Sequence, residues 1–128
     1  MDQRIQNWLD LADYDFETAK VMLETKRLLY VGFMCHQTIE KALKAAVLQA
    51  TGAPPPKIHN LIRLSELSGL RENLSEKQRV FLRYLNPMNV ETRYTENKDR
   101  IFRSLTARTC SEMLAQTEEL LCLIKHLL

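Results

Sequence analysis

The stretch FMCHQTIEKALKAAVLQA, residues Phe33–Ala50, decides the fold of this chain. It contains neither Gly nor Pro, consists largely of strong helix formers, and is followed by Gly52, a typical helix stop. At about 100° per residue its apolar side chains fall on one broad arc, the pattern of a buried helix face. The residues on this arc are Cys35, Ile39, Ala42, Leu43, Ala46, Val47 and Ala50.

Two polar residues interrupt this arc. His36 falls between Leu43 and Val47, and Glu40 lies one turn further along the helix. Buried polar side chains need partners, and residues four apart on a helix can touch, so Glu40 could orient His36 as an acid–base pair. The alternative is a polar pair with a structural role at a helix–helix or dimer contact. Glu40 also precedes Lys44 by one turn, so its charge could pair with that ammonium instead.

Size and composition indicate one domain, residues 1–128, with its own core. Hydrophobic residues make up 45% of the chain and charged residues 27%, as in soluble globular proteins. No apolar stretch approaches the roughly 18 residues of a membrane helix, and the first residues lack the pattern of a secretory signal. We therefore expect a cytoplasmic protein with no membrane contact, in which Cys35, Cys110 and Cys122 are buried, reduced thiols.

The net charge of +2 is unevenly distributed along the chain. Residues 53–108 contain 11 basic and 6 acidic side chains, a balance of +5. Residues 1–52 (6 basic, 7 acidic) carry −1, and residues 109–128 (1 basic, 3 acidic) carry −2. A basic middle segment can favour ligands that bear phosphate, but a solvated helix surface has the same composition.

A first helix is predicted from about Gln3 to Lys26, because apolar residues recur there at spacings of three and four. Leu28–Gly32 is then a short connection, which makes the first two helices antiparallel neighbours in a hairpin. The carboxylates of Asp10, Asp13 and Glu17 lie on the opposite side of the first helix. We interpret them as its solvated face and not as metal ligands.

An extended arm follows the second helix. Ala53–Pro56 contains three successive prolines, which exclude a helix and hold the backbone stiff and extended. A short helix comes next, with Asn60 or His59 as its N-cap and Gly69 at its end. A fourth helix is predicted to start at Ser75 and to stop at Asn86-Pro87. Its apolar side comprises Val80, Phe81, Tyr84 and Leu85.

The longest irregular stretch is Pro87–Lys98, and such polar loops often carry function. Within it, Arg93-Tyr94 pairs a fixed cation with an aromatic hydroxyl, although Tyr94 could equally anchor the loop on the core. The last helix is predicted from about Asp99 to His126. Its apolar stripe is interrupted by Thr109, Glu112 and Gln116, which suggests a hydrated groove or a contact with another chain.

No stretch alternates polar and apolar residues with period two, so the predicted architecture is all-α. It is an antiparallel helical bundle of three long and two short helices. Only Gly32, Gly52 and Gly69 are present, which excludes Gly-rich phosphate loops, and neither HExxH nor GxSxG occurs. We therefore expect no metal and no cofactor.

One further sequence pattern is made by residues that are spread along nearly the whole chain. They are Phe33, His36-Gln37, the run Glu40–Ala45, Gly52, Pro56 and His59-Asn60-Leu61, with Ala12, Asp15, Ala19 and Arg93-Tyr94 as additional matches. This set resembles the HEPN family (higher eukaryotes and prokaryotes nucleotide-binding). The resemblance implies a compact helical bundle that commonly dimerises. Many similar family members act with a minimal nucleotidyltransferase as a toxin–antitoxin pair.

The resemblance also implies which residues a catalytic site would contain. In the ribonuclease members of the family, an Arg is followed by four to six residues and a His, and the site is shared across the dimer. No arginine stands at that distance before His36, His59 or His126 in this sequence. Metal-independent RNA cleavage needs a general base and a cation on the phosphate, so the usual ribonuclease pair is missing.

We therefore expect a nucleotide-binding and interaction module without enzymatic activity, a homodimer partnered with a minimal nucleotidyltransferase. Its ligand would be a nucleotide or RNA. The alternative is a divergent, metal-independent ribonuclease toxin, with His36, Arg93 and Tyr94 as candidate catalytic residues. In either case the predicted groove-lining residues are His36, Glu40, Lys44, His59, Arg93 and Tyr94.

Overall fold

The structure is a computed structural model and describes residues 1–89 and 98–128, except the side chains of Lys98, Ile101 and Phe102. Within these ranges it contains α-helices and 3-10 turns and no strand, which confirms the all-α prediction. The helices are α1 (Gln3–Glu24), α2 (Leu28–Thr51), α3 (Leu61–Leu67), α4 (Glu76–Leu85), α5 (Lys98–Ser104) and α6 (Ala107–Leu127). The 3-10 turns are Arg71–Asn73 and Asn86–Asn89.

Helix α2 forms the centre of the molecule. It packs along α1 as the predicted hairpin and also contacts α6, α3 and the Asn86–Asn89 turn. Its apolar arc lies in the core as far as Val47, and Cys35, Ile39 and Leu43 are buried there together with Val31, whereas Ala50 at the end of the arc is exposed. The pattern that predicted a buried helix face therefore gives the correct orientation of the helix on which the others pack.

The connection between α1 and α2 differs from the prediction. Leu28–Gly32 lies inside α2, and the link is shortened to the three residues after Glu24. Lys26 makes this tight turn with a φ of 63°, in the left-handed region. Gly32 does not break the helix but gives room for a neighbour: a Cβ at this position would lie 2.8 Å from Met88 Sδ.

The predicted last helix is divided into α5 and α6. The division is made by Thr106, whose hydroxyl accepts a hydrogen bond from the Thr109 amide and so caps a new helix. Thr109 completes a capping box through its own side chain. The three long helices are thus α1, α2 and α6, and α5 adds a third short helix to the predicted two.

Local capping signals were predicted well. Gly52 ends α2 with a φ of 72°, and the side chain of Asn60, not that of His59, caps α3. Ser75 and Gln78 form the predicted capping box at the start of α4. These signals depend on residues within one turn of each other, so the sequence alone contains them.

Besides that of Ala50, three predictions of burial were wrong. Val80 and Tyr84, expected on the apolar side of α4, are 48% and 46% exposed. Cys122 is exposed, whereas Cys35 and Cys110 are buried free thiols as expected. Burial raises the pKa of the Cys35 thiol to about 12, so it stays protonated. Among the described helices, none has the length and apolar character needed to cross a membrane.

Candidate functional site

Four of the predicted site residues meet in one place, which we call the polar seam: His36, Glu40, Lys44 and His59. The first three are spaced four residues apart on α2 and therefore form one row along the helix. His59 reaches the same row from the arm that connects α2 to α3. Arg93 and Tyr94, the other two predicted residues, lie outside the described residues.

Glu40 is the centre of the seam. Its side chain is only 5% exposed, and both of its carboxylate oxygens have partners. Oε2 accepts a hydrogen bond from Lys44 Nζ at 3.1 Å, and Oε1 lies 3.0 Å from His59 Nδ1. A buried carboxylate with two such contacts is compensated for the loss of hydration.

Lys44 is held on two sides. Its ammonium contacts Glu40 and also lies 5.7 Å from the centroid of the Trp8 ring, a cation–π arrangement. The side chain is 8% exposed. Because Lys44 is paired and enclosed, its charge is already neutralised within the protein and is not available to a phosphate from solvent.

His36 is fully buried and unsatisfied. Its Nδ1 lies 3.7 Å from Glu40 Oε1, too far for a hydrogen bond, and neither ring nitrogen has a hydrogen-bond partner among the described residues. Burial lowers the pKa of His36 to about 4, although the charge of Glu40 and weak contacts to the backbone of His59 and Asn86, which fall short of normal hydrogen-bond geometry, oppose this shift. The imidazole is therefore neutral at physiological pH.

His59 is the accessible member of the seam, since 62% of its side chain is exposed. With Nδ1 directed at Glu40, the tautomer that donates from Nδ1 leaves Nε2 as an acceptor. A carboxylate that fixes an imidazole in this way is a common device in binding and acid–base sites. Any ligand from solvent would meet His59 before Glu40 or His36.

An ion pair beside the seam was missed by the sequence analysis. Asp15 on α1 is buried and pairs with Lys41 on α2. Its position contained a signal, because Asp15 lies three residues after Ala12 and four before Ala19, on the apolar stripe of α1. A carboxylate at a core position requires a partner, and the facing helix provides it.

Two asparagines close the seam from the side of α4. Asn86 Oδ1 accepts a hydrogen bond from the Leu61 amide at 2.8 Å, and the buried Asn89 accepts one from Gln37 Nε2 at 3.0 Å. These contacts join residues 25 and 52 positions apart in the chain, so no local pattern could predict them. In the described part of the chain, no group of three His, Cys, Asp or Glu side chains is arranged to hold a metal ion.

Comparisons with known proteins agree with this architecture. The crystal structure of TT1696 from Thermus thermophilus superimposes with a TM-score of 0.79 over 98% of each chain, at 22% sequence identity. At that identity the similarity shows a shared fold. No curated protein matches the chain. The family model for the HEPN domain matches residues 5–127, nearly the whole sequence. The chain therefore belongs to the HEPN-domain family.

Proposed function

We propose that this protein is a nucleotide-binding and interaction module in which the polar seam is the ligand site. One observation carries the proposal: His36 is fully buried beside the Glu40 carboxylate, yet neither of its nitrogens has a hydrogen-bond partner of normal geometry among the described residues, where the backbone groups of His59 and Asn86 make at most weak contacts. A purely structural pair would be enclosed and hydrogen-bonded to neighbouring helices. The pair is enclosed, but in the described part of the chain only Glu40 has hydrogen bonds of normal geometry. An unsatisfied buried polar group lowers the stability of a fold by roughly 1–3 kcal/mol, so its presence suggests a role in function.

The charges of the seam indicate which part of a nucleotide it would contact. Glu40 and Lys44 neutralise each other and His36 is uncharged at pH 7, so the buried part of the seam has no net charge to attract phosphate. The exposed His59 ring is suited to stack on a nucleobase or to accept a hydrogen bond from it. Phosphate would instead meet Lys57 and Arg63, which are exposed and form no ion pair with described residues.

The proposal includes three further elements that do not come from the site. A homodimer and a minimal nucleotidyltransferase as partner in a toxin–antitoxin pair are what the resemblance to the HEPN family implies. A location in the cytoplasm is proposed from the composition and the cysteines of the chain. The buried free thiols of Cys35 and Cys110 are consistent with a reducing compartment.

Isothermal titration calorimetry with ATP, GTP and AMP tests nucleotide binding directly. We expect His59→Ala to weaken binding by at least about tenfold, because it removes the accessible contact of the seam. His126→Ala is the matched control, since this histidine is also exposed but lies at the end of α6. No heat of binding with any of the three nucleotides at millimolar concentration would contradict the proposal.

A divergent ribonuclease is the second candidate, and the contact between Glu40 and His59 is the observation in its favour. Glu40 orients an exposed imidazole, which could act as the general base on a ribose hydroxyl. His36 is too deeply buried to touch RNA, so His59 is the better candidate base. Incubation with single-stranded and structured RNA separates the two functions. Cleavage that disappears in His59→Ala and Arg93→Ala, but persists in His126→Ala, would favour the ribonuclease.

A further inference from the structure

Helix α1 carries a second stripe of side chains besides the one that packs in the core. Its members follow one another at alternating distances of four and three residues, which is the spacing of the a and d positions in a coiled-coil helix. We call them the α1 stripe. They are Asn7, Leu11, Tyr14, Thr18, Val21 and Thr25, the last of which is the C-cap of the helix.

The apolar members of the α1 stripe face solvent. Tyr14 is 72% exposed, Leu11 48% and Val21 47%. A shallow hollow of about 480 Å³ lies beside Tyr14 and Val21 and includes Thr18 between them. Single exposed apolar residues are ordinary, but three in heptad register on one helix form a continuous patch. Such a row is the kind of surface on which a second helix packs.

One edge of the α1 stripe is acidic at regular intervals. Asp10, Glu17 and Glu24 are seven residues apart, and each directly precedes an a residue of the stripe. They therefore occupy the g position of three successive heptads, and all three are exposed. In a helix pair the residues at g contact the flanking charges of the other helix and so select its sequence. A row of one sign selects a partner of the opposite sign.

Two lysines neutralise part of this charge. Lys20 pairs with Glu17 at 3.0 Å, and this hydrogen bond raises the pKa of Lys20, with the charge of Glu24 acting in the same direction. Lys125 of α6 pairs with Asp13. The carboxylates beside the stripe are Asp10, Asp13, Glu17 and Glu24. Four carboxylates against two ammonium groups leave an excess of two negative charges, so the surface stays acidic after its internal pairs are formed.

A second copy of this chain does not match the α1 stripe. In an antiparallel helix pair the g rows of the two helices face each other, which would place carboxylates opposite carboxylates. In a parallel pair each g row faces the row that follows the d residues. In α1 that row consists of Trp8, Asp15 and Met22 and offers no cation. The charge pattern therefore requires a helix of different sequence.

We propose that the α1 stripe docks an amphipathic helix of another protein, one that has apolar residues at heptad spacing and lysine or arginine in the flanking positions that meet Asp10, Glu17 and Glu24. The polar side chains of Thr18 and Asn7 within the stripe reduce its apolar area, which makes the contact weak and reversible. The proposal rests on the interaction role included in the proposed function and specifies its surface and the chemistry of the partner.

A synthetic peptide serves as the probe. It comprises three heptads with Leu at a and d, Lys at e and g and Ala elsewhere, and its lysines keep it from pairing with itself. Fluorescence anisotropy at physiological ionic strength should give saturable binding to the whole chain, with a dissociation constant below about 100 μM. A scrambled peptide of the same composition, and an analogue with Glu in place of Lys, should each bind at least about tenfold more weakly.

Charge reversal on α1 tests which surface the peptide contacts. Glu17→Lys with Glu24→Lys should weaken binding of the Lys peptide at least about tenfold and strengthen binding of the Glu analogue. A misfolded variant would lose both, so this exchange of preference is specific to the contact. Glu66→Lys with Glu72→Lys is the matched control, because it changes the net charge equally at exposed residues outside α1. This control should bind the Lys peptide like the unchanged chain.

Serine substitution tests the apolar part of the stripe. Tyr14→Ser with Val21→Ser should weaken peptide binding at least about tenfold, whereas Val80→Ser with Tyr84→Ser, a half-exposed pair on α4, should leave it unchanged. Circular dichroism verifies that each variant is folded.

Three results would overturn the proposal: no saturable binding, equal binding of the scrambled peptide, or binding that survives every stripe substitution. Nucleotide binding is measured separately by calorimetry. A chain that binds ATP but not the Lys peptide would therefore refute the helix contact alone, and the reverse result would refute the nucleotide site alone.

Discussion

Glu40 Oε1 lies 3.0 Å from His59 Nδ1, which connects a carboxylate in the interior of α2 to an imidazole on the surface. The contact fixes the end of the proline arm against the central helix of the bundle. Because the same carboxylate also holds Lys44, a ligand that moved His59 would change the hydrogen bonding of a buried charge. The site therefore links the accessible His59 to the buried Lys44 through the side chain of Glu40.

Glu40→Gln should destabilise the protein strongly. The amide keeps the shape of the side chain but leaves the buried ammonium of Lys44 without a counter-charge, which costs about 3 kcal/mol. Urea unfolding followed by circular dichroism measures this loss. Glu17→Gln is the control, because Glu17 pairs with Lys20 at 3.0 Å on the exposed side of α1 and should contribute less than about 1 kcal/mol. Equal losses in the two variants would mean that burial of the Glu40 pair is irrelevant.

His36→Leu should leave the free energy of unfolding within about 1 kcal/mol of the wild type at neutral pH, or increase it. Leucine fills a comparable volume and removes two nitrogens that have no hydrogen-bond partner among the described residues. The same urea experiment measures the change. A loss of more than about 2 kcal/mol would show that His36 is structurally required and would contradict a ligand site at the seam.

Stability should fall as the pH is lowered, and His36 should account for part of the fall. Its pKa is lowered from 6.5 to about 4 in the folded protein, so the unfolded chain binds more protons between these values and stability decreases as the pH decreases. At about 1.36 kcal/mol per pH unit, the loss between about pH 6.5 and about pH 5 is roughly 2 kcal/mol. In His36→Leu this contribution should be absent, which urea unfolding at several pH values can show.

Asp15 and Lys41 should behave as a coupled pair. Lys41→Met leaves the buried carboxylate of Asp15 unpaired and should cost about 3 kcal/mol, whereas Asp15→Asn leaves the ammonium of Lys41, which is 22% exposed, and should cost less. The double change Asp15→Asn with Lys41→Met removes both charges and should cost clearly less than the sum of the single changes. The exposed pair of Asp13 and Lys125 provides the comparison, with an expected coupling below about 1 kcal/mol. Additive losses at Asp15 and Lys41 would contradict the assignment of these two residues as a coupled pair.

The features that the sequence predicted are those set by neighbouring residues. Gly52 as a helix stop and the N-cap of Asn60 depend on contacts within one turn, and the buried arc of α2 depends on periodicity. The division of the last helix was missed because the helical pattern continues through Thr106. Only the structure shows that the Thr106 hydroxyl caps a new helix by accepting a hydrogen bond from the Thr109 amide. The free-energy difference between capping a new helix and continuing the old one is small, and composition does not reveal which is favoured.

The seam was predicted only in part, because only some of its contacts join residues that are close in sequence. The row of His36, Glu40 and Lys44 follows from helix geometry, whereas the position of His59 depends on how the arm folds back. The sequence could indicate that Glu40 needed a partner, but not that an exposed histidine would provide one. The exposure of Tyr84 was equally unpredictable, because periodicity identifies an apolar face and not what covers it.

Gly32 has no side chain, and this lets the Met88 side chain from the segment after α4 pack directly on the backbone of α2. Met88 Sδ occupies the space that a Cβ would need, within 2.8 Å of it. Met88 belongs to the 3-10 turn that also carries Asn86 and Asn89, the two residues that contact the start of α3 and the middle of α2. A larger residue at position 32 would displace the Met88 side chain from its place between this turn and α2. The packing beside the seam thus involves a residue that takes no part in its chemistry.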